Sequence, residues 1–163
     1  MRLKWIRTFR APLVLILLGV FVAACGDEGS TMPDPDPDPV DPVFPSDFAT
    51  SFTEVRDFRS GVPHPSFLRV YANSVGAADY TAGNYPLPEG TVLVKEIYND
   101  PAGSDVFGWV VMQKREAGFS SGSGDWYWQE VDSDRTVLDD GSITNCIGCH
   151  NACTSTDWVC AEP

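Results

Sequence analysis

Thr91-Val92-Leu93-Val94-Lys95-Glu96-Ile97-Tyr98 is the stretch that decides the fold class. It is rich in β-branched residues and follows a turn signal, Pro88-Glu89-Gly90, so it reads as a strand. Alternation puts Leu93, Lys95 and Ile97 on one side. Similar segments lie on either side of it in the chain. Phe67-Leu68-Arg69-Val70-Tyr71-Ala72 places Leu68, Val70 and Ala72 on one side, Arg69 and Tyr71 on the other. Gly108 to Lys114 and Trp126 to Val131 are two more strands, joined by the Gly/Ser-rich loop Gly118 to Asp125. Connections this short hold no crossover helices, so the sheet is expected to be antiparallel. Two helices complete a mainly β, α+β domain. A short N-terminal helix is capped at Ser46-Asp47 and runs through Ala49, Phe52 and Val55. A C-terminal helical segment begins at Ser142 or Thr144 and carries a cysteine cluster. No internal repeat is visible.

The start of the chain has the pattern of a targeting segment. Arg2, Lys4, Arg7 and Arg10 form a basic opening, and Ala11 to Ala24 is an uncharged apolar run of 14 residues. That is shorter than the about 20 residues a membrane span needs and has the length of a signal-peptide core. Val22-Ala23-Ala24-Cys25 has the form of a lipoprotein cleavage box, with Cys25 as the lipidated residue. Residues 1–24 therefore read as a lipoprotein signal peptide. An ordinary signal peptide with a chance cysteine, or a short membrane anchor, are the competing readings. Met32-Pro33-Asp34-Pro35-Asp36-Pro37-Asp38-Pro39 continues through Pro42 to Pro45. Alternating Pro and Asp favours extended polyproline II, so residues 25–45 read as lipidated cysteine plus tether. At about 3.1 Å per residue, a dozen such residues reach roughly 35–40 Å. Residues 46–163 have the length of one domain. The expected location is outside the cytoplasm, lipid-anchored at the periplasmic face of the outer membrane or the cell surface.

Four of the 11 basic residues, and none of the 23 acidic ones, fall within residues 1–24, so cleavage takes the net charge from −12 to −16. A surface that acidic repels nucleic acid and anionic headgroups. It suits solubility, or docking to a cationic redox partner.

Four of the five cysteines lie in the last 18 residues. Cys146-Ile147-Gly148-Cys149-His150 is C-x-x-C-H, which in an exported bacterial protein reads as the site of one covalently attached haem c. Two thiols three positions apart on a helical turn can reach two vinyl groups of one porphyrin. The histidine that follows presents a nitrogen to the iron. Cys146 and Cys149 are thus the attachment residues, and His150 the proximal ligand. A thioredoxin-type Cys146–Cys149 disulfide would need a βαβ setting, which is missing upstream. A structural zinc could use Cys146, Cys149, His150 and Cys153 or Cys160, although zinc ligands usually come from two separated knuckles. With Cys25 on lipid and two cysteines on haem, Cys153 and Cys160 remain as an even pair in an oxidising compartment, and a disulfide is expected. For the far side of the iron, His64 reads first as a loop residue between prolines and Met112 as strand core. If neither binds, the iron is open to a small ligand.

The succession Arg69-Val70-Tyr71-Ala72-Asn73, Tyr85-Pro86, Pro88 to Glu96, Val111-Met112-Gln113-Lys114, Asp125-Trp126-Tyr127-Trp128, Cys146 to His150 and Asp157-Trp158-Val159 resembles the cytochrome P-460 family, whose superfamily includes cytochromes c′-beta. The resemblance covers nearly all of residues 52–160. Only C-x-x-C-H is specific alone; the order of the blocks is specific together. It implies a mainly antiparallel β fold and one haem, with Cys146, Cys149 and His150 in the roles given above. In some members a lysine is also bonded to the porphyrin, and these oxidise hydroxylamine. Others lack that bond and bind nitric oxide or carbon monoxide at an apolar distal face. Lys95 is the candidate for the lysine bond, Lys114 a second. The plainer reading of Lys95 is a surface residue that ends the apolar side. Arg69 is a candidate for polarising a distal ligand, or else a surface residue. Phe67, Phe107 and Phe119 are candidates for the distal wall, and Glu96 and Glu130 for a distal base.

The expected function is that of a membrane-anchored monohaem c-type cytochrome. It would bind or oxidise hydroxylamine or nitric oxide and pass electrons to a periplasmic acceptor. A non-catalytic gas-binding or electron-transfer module is one alternative. A zinc- or disulfide-stabilised surface lipoprotein is another.

Overall fold

The computed structural model describes residues 39–61 and 66–160. The residues read as signal peptide, Cys25 read as the lipidation site, the segment read as tether as far as Asp38, and His64 lie outside the described residues. Six strands form one sheet: β1 (Thr53–Gly61), β2 (Ser66–Ala72), β3 (Val92–Tyr98), β4 (Val106–Lys114), β5 (Trp126–Asp132) and β6 (Val137–Gly141). They lie in sequence order, and every neighbouring pair is antiparallel. The helices are α1 (Phe48–Ser51), α2 (Ala77–Ala82) and α3 (Thr144–His150), the last followed by a 3-10 segment, Asn151–Thr156. The mainly β, α+β architecture is the expected one.

Strands β2 to β5 and helix α3 fall where the sequence pattern puts them. The N-terminal helix starts where expected, after Asp47, but is shorter than the pattern suggests. It ends at Ser51; Phe52 is extended and Val55 belongs to β1. Pairing of Thr53 with Ala72 and Glu54 with Tyr71 draws this segment onto the sheet edge, and tertiary pairing overrides a weak local helix preference. Helix α2, six residues long, is stopped by Gly83 at φ 69°, whose N–H donates to the carbonyls of Asp79 and Tyr80.

Side-chain alternation gives the sheet two distinct faces. On one, Leu68, Val70, Ala72, Leu93, Met112 and Trp128 form a core with Tyr80 of α2, Trp126, Ile143, Trp158 and Val159. On the other, Tyr71, Val92, Val94, Val111 and Val131 are covered by Phe44 and Phe48. Phe44 is 3% exposed, so the end of the stretch read as tether belongs to the domain core. Cross-strand register then selects what meets on the first face. Val70 pairs with Lys95, Lys95 with Val110, and Val110 with Glu130. Directly paired residues point the same way, so these four side chains form one row beneath the C-terminal segment.

Candidate haem site

Helix α3 carries the whole C-x-x-C-H run, Cys146 to His150. Three residues of α-helix separate the two thiols by about 4.5 Å along the axis. Cys146 is half-buried against the core, Cys149 is exposed, and both are free thiols. His150 ends the helix and is buried. Its Nδ1 lies 2.6 Å from the Trp158 carbonyl oxygen. A carbonyl can only accept, so Nδ1 carries the hydrogen and donates it. In the neutral ring Nε2 is then left with its lone pair. Burial holds the His150 pKa below its ordinary value and Lys95 adds to this, while the bond to Trp158 opposes it. The ring meets Trp128 edge-on, centroids 4.7 Å apart.

Beside His150 is a small, partly open pocket lined by Val70, Tyr80, Leu93, Lys95, Val110 and Met112, with Val159 and Cys160 from the C-terminal segment. Lys95 is its one cationic wall residue. Burial lowers its pKa to about 8; Arg56 pushes the same way and Cys146 opposes. The Cys146 thiol is pushed up to about 12, by burial first and then by Glu130. Glu130 Oε1 accepts from Cys146 Sγ at 3.6 Å.

The family model described as Cytochrome P460 matches residues 46–161. The chain belongs to the cytochrome P460 family. A comparison with curated proteins gives no match. Membership of the P460 family makes haem the cofactor this site has to fit.

The donor set fits it. A neutral imidazole with a free Nε2 suits iron, and two unpaired thiols stand one turn apart on the same helix. The indole Nε1 of Trp128, on a fully buried ring against His150, has no hydrogen-bond partner. A buried donor without an acceptor costs about 1–3 kcal/mol, and a polar cofactor is one source of that acceptor. Zinc fits less well. The structure joins Cys153 to Cys160, with Cα atoms 5.3 Å apart, which removes the fourth ligand. Glu130 also disfavours the Cys146 thiolate that zinc needs. Among the described residues no group of three or more His, Cys, Asp and Glu side chains is arranged to hold a metal ion.

Not every residue singled out in the sequence meets here. Lys95 and Glu130 share the site face. Arg69 is on the opposite face: its Nη1 donates to Glu54 Oε2 at 3.1 Å, and its guanidinium lies over the Phe58 ring. Register explains this, since Arg69 pairs with Glu96 and Val70 with Lys95. Glu96 is on that far face too, accepting from Trp109 Nε1 at 3.2 Å and from the Tyr98 hydroxyl, so it is not a distal base. Phe67 stacks on Phe58, Phe107 is exposed, and Phe119 packs near Tyr127 and Arg115. None of the three walls the pocket, whose apolar lining is mostly aliphatic residues with Met112 and Tyr80. Lys114 is engaged by Asp157 instead, Nζ to Oδ1 at 2.6 Å. Met112 is core, as read, and also part of the cavity wall. Tyr80 and Trp128 escaped the sequence reading. Alternation along Trp126-Tyr127-Trp128 carried a signal for the second; nothing marked the short helix that delivers the first.

Proposed function

We propose that this P460 family member is an exported, lipid-anchored monohaem c-type cytochrome that binds and oxidises hydroxylamine or nitric oxide. In this reading Cys146 and Cys149 bear the haem, His150 is the proximal ligand, and Cys25 bears the lipid. The observation that carries it is Lys95, a lysine held in the same cavity as His150 with its pKa lowered to about 8. Haem, when bound, would supply a redox-active iron able to exchange electrons with a small nitrogen compound. The remaining work falls to the chain. His150 offers Nε2 and is kept from turning by its bond to Trp158. Val70, Leu93, Val110 and Met112 exclude water from the cavity wall. With a pKa of about 8, roughly a tenth of Lys95 is neutral at pH 7, far more than for an ordinary lysine. Its Nζ can then act as nucleophile or proton acceptor. Lys95 would be the residue for the lysine–porphyrin bond implied by the resemblance, a C–N bond whose formation releases two protons and needs a two-electron oxidant such as a peroxide. Glu130 is the carboxylate left on the site face to take protons. Electrons would leave to a periplasmic acceptor, and the acidic surface favours a cationic one.

The test is expression with the cytochrome c maturation system. The expected product is coloured, keeps its haem after denaturation, and turns over hydroxylamine or nitric oxide. Lys95→Ala should retain haem but lose at least about tenfold in turnover, and its haem peptide should lose a lysine link present in the parent. The aliphatic wall also favours a second reading, a gas-binding module without turnover. An ordinary ferrous c-haem spectrum, a haem peptide without a lysine link, and no turnover in the parent would establish that reading instead.

A further inference from the structure

We infer that the buried ion pair between Lys114 and Asp157 positions the proximal ligand, by holding the Trp158 carbonyl onto His150 Nδ1. This rests on the reading of His150 as the iron ligand and goes beyond it. Asp157 and Trp158 both have left-handed backbone, at φ 54° and 66°. Two consecutive non-glycine residues in that region, one a tryptophan, do not hold the conformation unaided. What holds it is visible at Asp157, where every oxygen is used. Oδ1 accepts from Lys114 Nζ at 2.6 Å, Oδ2 from the Leu87 backbone N–H at 2.9 Å, and the backbone carbonyl from Trp126 Nε1 at 2.7 Å. The next residue is held as tightly, with its N–H donating to the Cys153 carbonyl at 2.8 Å. Its own carbonyl then faces His150.

Lys114 is built into the same arrangement. Its Nζ also donates to the Gly124 carbonyl at 2.7 Å and lies over the Trp126 ring. Gly124 is the residue against which the Trp158 indole packs; a Cβ there would come within 2.5 Å of Trp158 Cδ1. The two side chains are 11% and 7% exposed. An ion pair so buried is a weak device for stability, because desolvation offsets most of the attraction. Its geometric consequence is specific: the chain leaves the 3-10 segment at one angle, and the Trp158 oxygen stays on Nδ1. A strong acceptor at Nδ1 makes the other nitrogen a better donor to iron. A more basic axial ligand favours the ferric state. Lys114 and Asp157 are therefore positioning residues for the proximal side.

The test uses the haem-loaded protein and two readouts, the ferric/ferrous midpoint potential and the iron–histidine stretch of the ferrous form by resonance Raman. Asp157→Asn and Lys114→Gln remove the charge pair and keep polar groups of similar size. Each is expected to favour the ferrous state about tenfold, a rise of about 59 mV for one electron, and to lower the iron–histidine frequency. Lys114→Arg keeps the charge and should stay near the parent. Parental potential and stretch in folded Asp157→Asn and Lys114→Gln would overturn the inference. If neither variant folds, the unmodified protein decides: a stretch in the range of an imidazole without a hydrogen bond at Nδ1 overturns it, and one in the hydrogen-bonded range supports it. Absence of covalent haem, or of any iron–histidine stretch in the parent, would instead refute the reading of His150 as ligand.

Discussion

At position 95 the wall around the amine is aliphatic and Arg56 adds a like charge, so the ammonium is disfavoured. This makes a prediction for the haem-free chain. In the unfolded chain the lysine has a pKa of about 10.4; in the folded chain it is about 8. Between these values the unfolded state binds more protons, so stability rises with pH. The gain is absent below about pH 8 and complete above about pH 10.4. Lys95→Met keeps the length of the side chain without a titrating group, and should lack this rise. Urea midpoints of the two proteins between pH 7 and pH 10.5 would show it. Parallel pH profiles would mean that the amine reaches water. Lys95 was readable in the sequence because it shares parity with Leu93 and Ile97. Arg69 was misplaced because parity within one strand does not say which side faces its neighbour's site side. That needs the pairing of Val70 with Lys95, a contact between residues far apart in the chain.

At the scale of elements, the site depends on a short C-terminal segment without a regular core of its own. Helix α3 has seven residues and the 3-10 segment six. Both are too short to be stable alone. The Cys153–Cys160 link closes this segment just behind His150, and Cys160 reaches the cavity wall. A loop of this length stabilises by about 2–3 kcal/mol in the chain-entropy model. The double substitution Cys153→Ser, Cys160→Ser should cost about that much by urea unfolding. It should also loosen His150, seen as a broadened iron–histidine band in the loaded protein. An unchanged midpoint and band would make the link incidental. The same scale shows why the strands were unequally legible. Strands β2 to β5 are rich in apolar residues because they lie between two cores, one on each face of the sheet. Edge strand β1, Thr-Glu-Val-Arg-Asp-Phe-Arg-Ser-Gly, is mostly polar and has register shifts at Glu54/Arg56 and Arg56/Arg59. Edge strand β6 is Val-Leu-Asp-Asp-Gly. Edge strands need not bury both sides and often carry charge, so neither shows a clean period. The C-x-x-C-H run was legible because its spacing is local. The Lys114–Asp157 pair was not, because it joins residues 43 positions apart.

For the molecule as a whole, the two sheet faces divide the labour. One face is given to the cavity and the C-terminal segment, so the other must be sealed by something else. The incoming chain seals it. The Val43 N–H donates to Gln129 Oε1 at 2.9 Å, and Gln129 Nε2 donates to the Asp41 carbonyl at 3.1 Å. The Arg135 guanidinium donates to the Phe44 carbonyl at 2.7 Å and lies 4.3 Å from the Phe44 ring centroid. That ring also meets Phe48 and Trp109, at 5.1 Å and 5.7 Å between centroids. A polar clasp at a fully buried Gln129 therefore docks the first residues of the domain, and Phe44 fills the space behind it. Phe44→Ala should cost about 3–5 kcal/mol, the usual loss for a buried phenylalanine, read as a fall in the urea midpoint. Because Phe44 is on the face away from His150, the spectrum and midpoint potential of the folded, haem-loaded variant should match the parent. Replacing residues 1–39 by another export signal, cleaved off after export, should leave the urea midpoint, the spectrum and the midpoint potential unchanged, since among the described residues the clasp begins at Asp41. A Phe44→Ala protein as stable as the parent would return this segment to the role of tether. A shifted potential in a folded variant would show that the two faces are coupled through the sheet.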